Sequence, residues 1–105
     1  MTKMMPSASP CVVIGDLVGS RAAPDRRAVH DALAGALEDT ERAVPSLRGL
    51  AVSVGDEFQG VYATLGAALE VALRVRLLLL PAADVRVGVG RGEGGGLLRS
   101  KHGYR

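Results

Sequence analysis

The apolar positions of the chain change their spacing several times, and each change marks the boundary of a predicted element. Residues 11–14 are a continuous apolar run that ends at Gly15, which is typical of a strand buried in a sheet. Over residues 29–44 apolar side chains recur at helical spacing, and Pro45 predicts the end of this helix. The Pro-Asp pair at residues 24–25 predicts its start.

The second half of the chain is predicted to form a hairpin, a helix and a last strand. Apolar residues alternate over residues 50–54, and Gly55-Asp56 predicts a tight turn into a return strand over residues 58–63. Thr64 predicts the cap of a second helix, which Pro81 stops. The apolar face predicted for this helix consists of Leu65, Ala68, Leu69, Ala72, Leu73 and Val75 to Leu80. Val85, Val87 and Val89 alternate in the last strand.

The element order predicted from these patterns is β-α-β-β-α-β, which is the ferredoxin-like arrangement of the α+β class. Its sheet is antiparallel and carries both helices on one face. We expect a single domain over residues 11–90, preceded by a flexible leader at 1–10 and followed by a glycine-rich tail at 91–105. A truncated or altered reading frame is one interpretation of that tail.

Two aspartates are predicted to meet at one end of this sheet. The strand order 4-1-3-2 places the end of strand 1, with Asp16, beside the start of strand 3, with Asp56. Carboxylates that lie close together repel each other unless a cation or a proton is shared between them. A hard ion such as Mg²⁺ is often held by one or two carboxylates together with phosphate oxygens and water. The alternative is that both aspartates are ordinary turn and loop residues.

The segment after Asp16 is a candidate phosphate site. Its backbone amides lead toward the start of the first helix, where N–H groups can face an anion. Arg21 adds positive charge there. The candidate phosphate-binding residues are Leu17, Val18, Gly19, Ser20 and Arg21.

Composition narrows the class of protein only slightly. The net charge of +2 does not by itself support nucleic-acid binding, and one Phe, two Tyr and no Trp leave little aromatic surface for base stacking. Cys11 is the only cysteine, which excludes an intrachain disulfide and fits a reducing cytoplasm. The first ten residues do not form a signal peptide, and the leucine run at 77–80 is too short to span a membrane.

Three segments together resemble the SatD family: CVVIGDLVGSR, VSVGDEFQGVY and VRVGVGRGE. Members of that family carry a strand followed by GD and SR, and a GDEFQG hairpin. The resemblance covers residues 11–93, and the hairpin is its most specific part. No biochemical activity is established for SatD-like proteins, so the resemblance implies a family and not a reaction.

The same segments are similar to class III nucleotidyl cyclases and to GGDEF diguanylate cyclases. In both families two acidic positions hold the metal ions that bind a nucleoside triphosphate. The resemblance therefore implies Asp16 and Asp56 as metal ligands, with Glu57 as a weaker candidate, Mg²⁺ as cofactor and a nucleotide as ligand. Cyclase active sites are shared between two subunits, and a homodimer is one of the expected partners of this chain.

The departures from the cyclase pattern argue against a working cyclase. Val52 stands where adenine-selective cyclases have Lys, and Val54 replaces the first glycine of GGDEF. Two other interpretations remain open at this point. One is a regulatory or interaction module, which would use Gln59 and Tyr62 to face a partner, and the other is an inactive truncated fragment.

Overall fold

The computed structural model describes residues 9–19 and 24–91. This part of the chain forms one four-stranded antiparallel sheet and two helices in an α+β, ferredoxin-like arrangement, which confirms the predicted element order. The elements are β1 (Cys11–Val18), α1 (Arg26–Ala43), β2 (Arg48–Val54), β3 (Glu57–Tyr62), α2 (Leu65–Leu79) and β4 (Asp84–Arg91). Apart from residues 9, 10 and 91, the predicted leader and tail lie outside the described residues.

Both helices begin at a capping side chain. The carboxylate of Asp25 accepts a hydrogen bond from the amide of Ala28, and the hydroxyl of Thr64 accepts one from the amide of Ala67, each at 3.0 Å. These bonds satisfy amides that have no partner within the helix. The Thr64 cap was predicted, and Pro24 precedes the cap of α1 instead of lying in its first turn. Neither helix within the described ranges combines the length and apolarity needed to cross a bilayer.

The strand order is β2-β3-β1-β4, and alternate residues point toward the helices or toward the open face of the sheet. The core lies between the sheet and the helices. Its largest fully buried side chains are Tyr62 and Phe58 on β3, together with Leu33 and Leu79 from the two helices. The opposite face of the sheet carries Ile14, Asp16, Gln59 and Arg86 in paired register.

Helix α2 buries only part of the predicted face: Ala68, Val75 and Leu79 were predicted, and Val71 was not. The residues turned to the sheet are Ala68, Val71, Val75 and Leu79, and each is at most 1% exposed. Leu65, Leu69, Leu73 and Leu77 lie on the outer side and are 43–61% exposed. Because apolar residues lie on both the inner and the outer side of α2, spacing alone did not decide between these two sides. Small and β-branched side chains at positions 68, 71 and 75 let the helix pack closely on the sheet, with Leu79 at its end, and the other leucines of the helix lie outside.

Two glycines shape the core around the aromatic rings. A Cβ placed on Gly15 would lie 2.4 Å from Cζ of Phe58, so the Phe58 ring occupies the space that a side chain at position 15 would need. A Cβ on Gly60 would lie 3.2 Å from the Tyr62 hydroxyl and 3.0 Å from Leu50. The sheet therefore accepts large rings only because these two strand positions carry no side chain.

Strand β2 is an edge strand with irregular pairing to β3. Register shifts occur between Arg48 and Ala51 and between Val52 and Val54, and each shift adds one residue to β2. Such insertions bend the strand and increase its twist. Val52 and Val54 are 45% and 67% exposed on this edge.

Candidate functional site

Asp16 lies on the open face of the sheet near the end of β1. It is directly opposite Glu57 on β3 and directly opposite Arg86 on β4. Side chains that face each other across antiparallel strands have Cβ atoms about 4.5–5.5 Å apart. The acidic residue whose register places it beside Asp16 is therefore Glu57, the one that the sequence ranked as the weaker candidate.

Asp56 lies one position earlier, in the turn between β2 and β3. The φ of Gly55 is +58°, and the φ of Asp56 is not positive. This combination is the pattern of a type II′ hairpin turn. The carbonyl oxygen of Asp56 accepts a hydrogen bond from the amide of Leu17 at 3.3 Å. The turn is thus joined to β1 at Leu17, and its backbone lies beside the acidic pair of Asp16 and Glu57.

The charges around Asp16 partly compensate each other. A guanidinium nitrogen of Arg86 lies 3.4 Å from a carboxylate oxygen of Asp16, with side chains 76% and 42% exposed. An ion pair of this exposure contributes about 0–1 kcal/mol to stability, so it neutralises charge more than it holds the fold together. Glu57 also contacts Ser53 on the neighbouring strand β2. The Ser53 hydroxyl donates to the carbonyl oxygen of Glu57 at 3.3 Å and lies 3.5 Å from the Glu57 carboxylate.

The described residues do not form a complete protein cage for a metal. Within residues 9–19 and 24–91, no three His, Cys, Asp or Glu side chains are grouped so that they could hold an ion. Asp16 and Glu57 instead offer the one or two carboxylates with which Mg²⁺ is held when phosphate oxygens and water complete the octahedron. The arrangement therefore suits a metal ion that binds together with a phosphate ligand.

The candidate phosphate-binding segment is partly used by the fold itself. Leu17 and Val18 belong to β1 and pair with β4, and the side chain of Leu17 is buried. Because the Leu17 amide donates to Asp56, it already has a protein partner. Gly19 follows the strand with a φ of +69°. Ser20 and Arg21 lie outside the described residues.

Arg86 is a site residue that the sequence interpretation missed. The signal for it was present, since Val85, Val87 and Val89 alternate toward the core and place Arg86 on the opposite face. In a ferredoxin-like sheet β4 borders β1, so the same face also carries Asp16. The proposed partner-facing role of Tyr62 is wrong, because Tyr62 is fully buried on the helix side.

Glu41 forms a second polar centre, between α1 and β2. Its carboxylate accepts bonds from the amide and hydroxyl of Ser46 and from the amide of Leu50, at 2.9–3.4 Å. Burial acts to raise the pKa of Glu41, but these three bonds together outweigh it and hold the pKa below its ordinary value of 4.5. Glu41 lines a groove of about 640 Å³, where its bonds fasten the helix end to the strand.

Tyr62 lies below this centre. Its hydroxyl is buried and has no hydrogen-bond partner. Burial, together with the negative charge of Glu41, raises the pKa of Tyr62 to about 12. Both effects disfavour the tyrosinate, so Tyr62 is a neutral core residue at physiological pH.

Comparison with known proteins adds no support to these assignments. No protein-family model matches the chain, and the search of curated proteins found no match either.

Proposed function

We propose that this chain is a SatD-like domain that binds a nucleotide or another phosphate ligand through Mg²⁺ and that it does not act as a cyclase. The observation that supports the proposal is the register of β1 and β3, which places Asp16 opposite Glu57 with the turn residue Asp56 bonded to the next residue of β1. Acidic residues distant in sequence are thereby collected at one end of the sheet.

The electrostatics of this arrangement favour a cation. Like charges directly opposite each other in a sheet destabilise it, and a shared divalent ion removes that repulsion. The carboxylates of Asp16 and Glu57 would hold the ion, with Asp56 beside them. Phosphate oxygens and water would supply the remaining ligands, as is usual for Mg²⁺.

Arg86 has a defined part in this proposal. Without an ion its guanidinium partly neutralises Asp16, at 3.4 Å. When a cation takes that carboxylate, the largely exposed arginine side chain turns to the phosphate, for which a guanidinium is a good bidentate partner. Arg86 would therefore compete with Mg²⁺ alone but assist Mg²⁺ that carries a nucleotide.

Calorimetric titration tests the site, first with Mg²⁺ alone and then with ATP or GTP in the presence of Mg²⁺. We expect Asp16→Asn and Glu57→Gln each to weaken nucleotide binding at least roughly tenfold, since each removes a charged ligand. Glu38→Gln is the matched control, because Glu38 is exposed on α1 and lies outside the site. No heat of binding in the wild type, or equal affinities in all four proteins, would contradict the proposal.

Arg86→Ala separates the two parts of the argument. The variant should bind Mg²⁺ alone more tightly, because the competing cation is gone, and should bind the magnesium nucleotide more weakly. A variant that weakens or strengthens both equally would show that Arg86 does not exchange partners.

A further inference from the structure

The outer face of α2 carries a row of exposed leucines. Leu65, Leu69, Leu73 and Leu77 follow each other at intervals of four residues, and we refer to them as the leucine stripe. They are 43%, 52%, 57% and 61% exposed. Single exposed leucines are ordinary, but a contiguous apolar row on one helix face is typical of a surface that a partner covers.

We propose that the leucine stripe is the interface of a homodimer, in which α2 packs antiparallel against α2 of a second copy around a twofold axis at Leu73. This inference does not depend on the proposed cation site, which lies on the other face of the sheet. It rests on two features of α2 that fit a second copy of the same helix.

The first feature is the symmetry of the stripe. In an isologous dimer a surface must be complementary to itself. With the axis at Leu73, helix rise places Leu69 level with the partner's Leu77, and each Leu73 meets its own copy. Leu69, Leu73 and Leu77 thus meet apolar residues of the partner helix, as in the seam of an antiparallel helix pair, and Leu65 lies level with the partner's Pro81, just beyond the end of α2.

The second feature is the charge pattern beside the stripe. Glu70 and Arg74 flank it on the same side and form an ion pair within the helix, at 2.8 Å. An antiparallel twofold brings Glu70 within about one turn of the partner's Arg74, and the reverse pair forms by symmetry. A parallel pair would instead place Glu70 and Arg74 on the opposite side of the seam from the same two residues of the partner. The charges therefore favour the antiparallel arrangement.

The oligomeric state of the purified chain is the first test, measured by sedimentation equilibrium over a range of concentrations. We expect a dimer of the 10.9 kDa chain. Leu73→Lys places two like charges face to face at the axis and should raise the dissociation constant by at least roughly thirtyfold, the effect of losing a central anchor. Leu47→Lys is the matched control, since Leu47 is 62% exposed and lies outside α2. It should dimerise like the wild type.

Two charge-reversal variants and three cysteine variants test the geometry and do not depend on Leu73→Lys. Glu70→Arg and Arg74→Glu should each weaken the homodimer, and their mixture should form a heterodimer, because opposite charges then face each other. Under oxidising conditions Leu73→Cys should cross-link with itself. Leu69→Cys should cross-link only when it is mixed with Leu77→Cys.

Several results would overturn the proposal. They are a wild-type chain that stays monomeric at every concentration, a dimer that Leu73→Lys leaves intact, and a dimer that Leu47→Lys disrupts equally. Cross-linking of Leu69→Cys with itself would refute the antiparallel arrangement. A monomer that sediments with anionic phospholipid vesicles would assign the leucine stripe to a membrane surface and not to a second copy.

Discussion

Replacing Gly15 by alanine adds one methyl group at the most crowded point of the sheet. The new Cβ would lie 2.4 Å and 2.8 Å from two carbons of the Phe58 ring and 3.0 Å from the carbonyl oxygen of Arg86. Carbon atoms make their best contact at about 3.5–4.0 Å, so the ring would have to move by roughly 1 Å or more. Phe58 is fully buried, and the Arg86 oxygen belongs to the neighbouring strand, so neither can yield easily.

The expected loss follows from this crowding. An extra carbon in a well-packed core typically destabilises by about 1–3 kcal/mol, and contact with a buried ring and a strand backbone favours the upper end. In a domain of this size 1 kcal/mol shifts the midpoint of thermal unfolding by about 4–8 °C. We therefore expect Gly15→Ala to lower that midpoint by about 10–20 °C.

The same substitution at Gly35 is the matched control and should act in the opposite direction. Gly35 lies in α1, and a Cβ there would meet no atom within 4 Å. Alanine in a helix interior is more stable than glycine by about 0.5–1 kcal/mol, so Gly35→Ala should raise the midpoint by a few degrees. Circular dichroism melts of both variants measure the contrast.

A second substitution identifies the cause. Phe58→Leu in the Gly15→Ala background should recover part of the loss, because the shorter side chain relieves the clash. A Gly15→Ala protein that melts within a degree or two of the wild type, or one that Phe58→Leu does not relieve, would refute the packing described here.

Three further substitutions test the polar centre and a helix cap. Tyr62→Phe should leave stability at pH 7 unchanged or increased, because it removes a buried hydroxyl without a partner. As the pH rises from the unfolded pKa of Tyr62, near 10, through its folded pKa of about 12, the wild type should lose about 3 kcal/mol of unfolding free energy that the variant does not lose. Urea titrations of both proteins above pH 9 measure this difference. Glu41→Gln should lower the free energy of unfolding by about 1–2 kcal/mol at pH 7. Because the folded pKa of Glu41 is depressed, the difference from the wild type should narrow as the pH falls below 4.5. A difference that stays constant with pH would exclude the charge of Glu41 as its cause. Thr64→Ala should lose about 1 kcal/mol through the missing cap of α2, measured by urea unfolding, and an unchanged midpoint would show that the cap contributes nothing.

The element order could be predicted from the sequence because the spacing of apolar residues, the turn residues and the prolines indicated the same boundaries along the chain. The length of β1 was not, since Gly15 was interpreted as the end of the strand. Leu17 continues the buried positions of Cys11 and Val13, and the glycine between them makes room for Phe58. A glycine that ends a strand and a glycine that accepts a ring from the neighbouring strand look alike in sequence.

The candidate site was predicted in outline, but its pairing was not. Topology brought Asp16 to the hairpin, as expected from the strand order. Whether Asp56 or Glu57 lies beside it depends on register, and a shift of one residue exchanges the two faces of a strand. The two-residue turn sets that register and selects Glu57. Likewise, the outer leucines of α2 were indistinguishable from core residues by spacing alone.

The irregular edge strand also bears on how the protein behaves in concentrated solution. A straight, apolar edge offers an ordered row of amides and carbonyls onto which strands from other molecules can add, and this is a route to fibrils. In β2 the two inserted residues break that row, even though Val52 and Val54 keep the edge apolar. We therefore expect the protein to resist fibril growth from this edge, and deletions that straighten β2 to promote it.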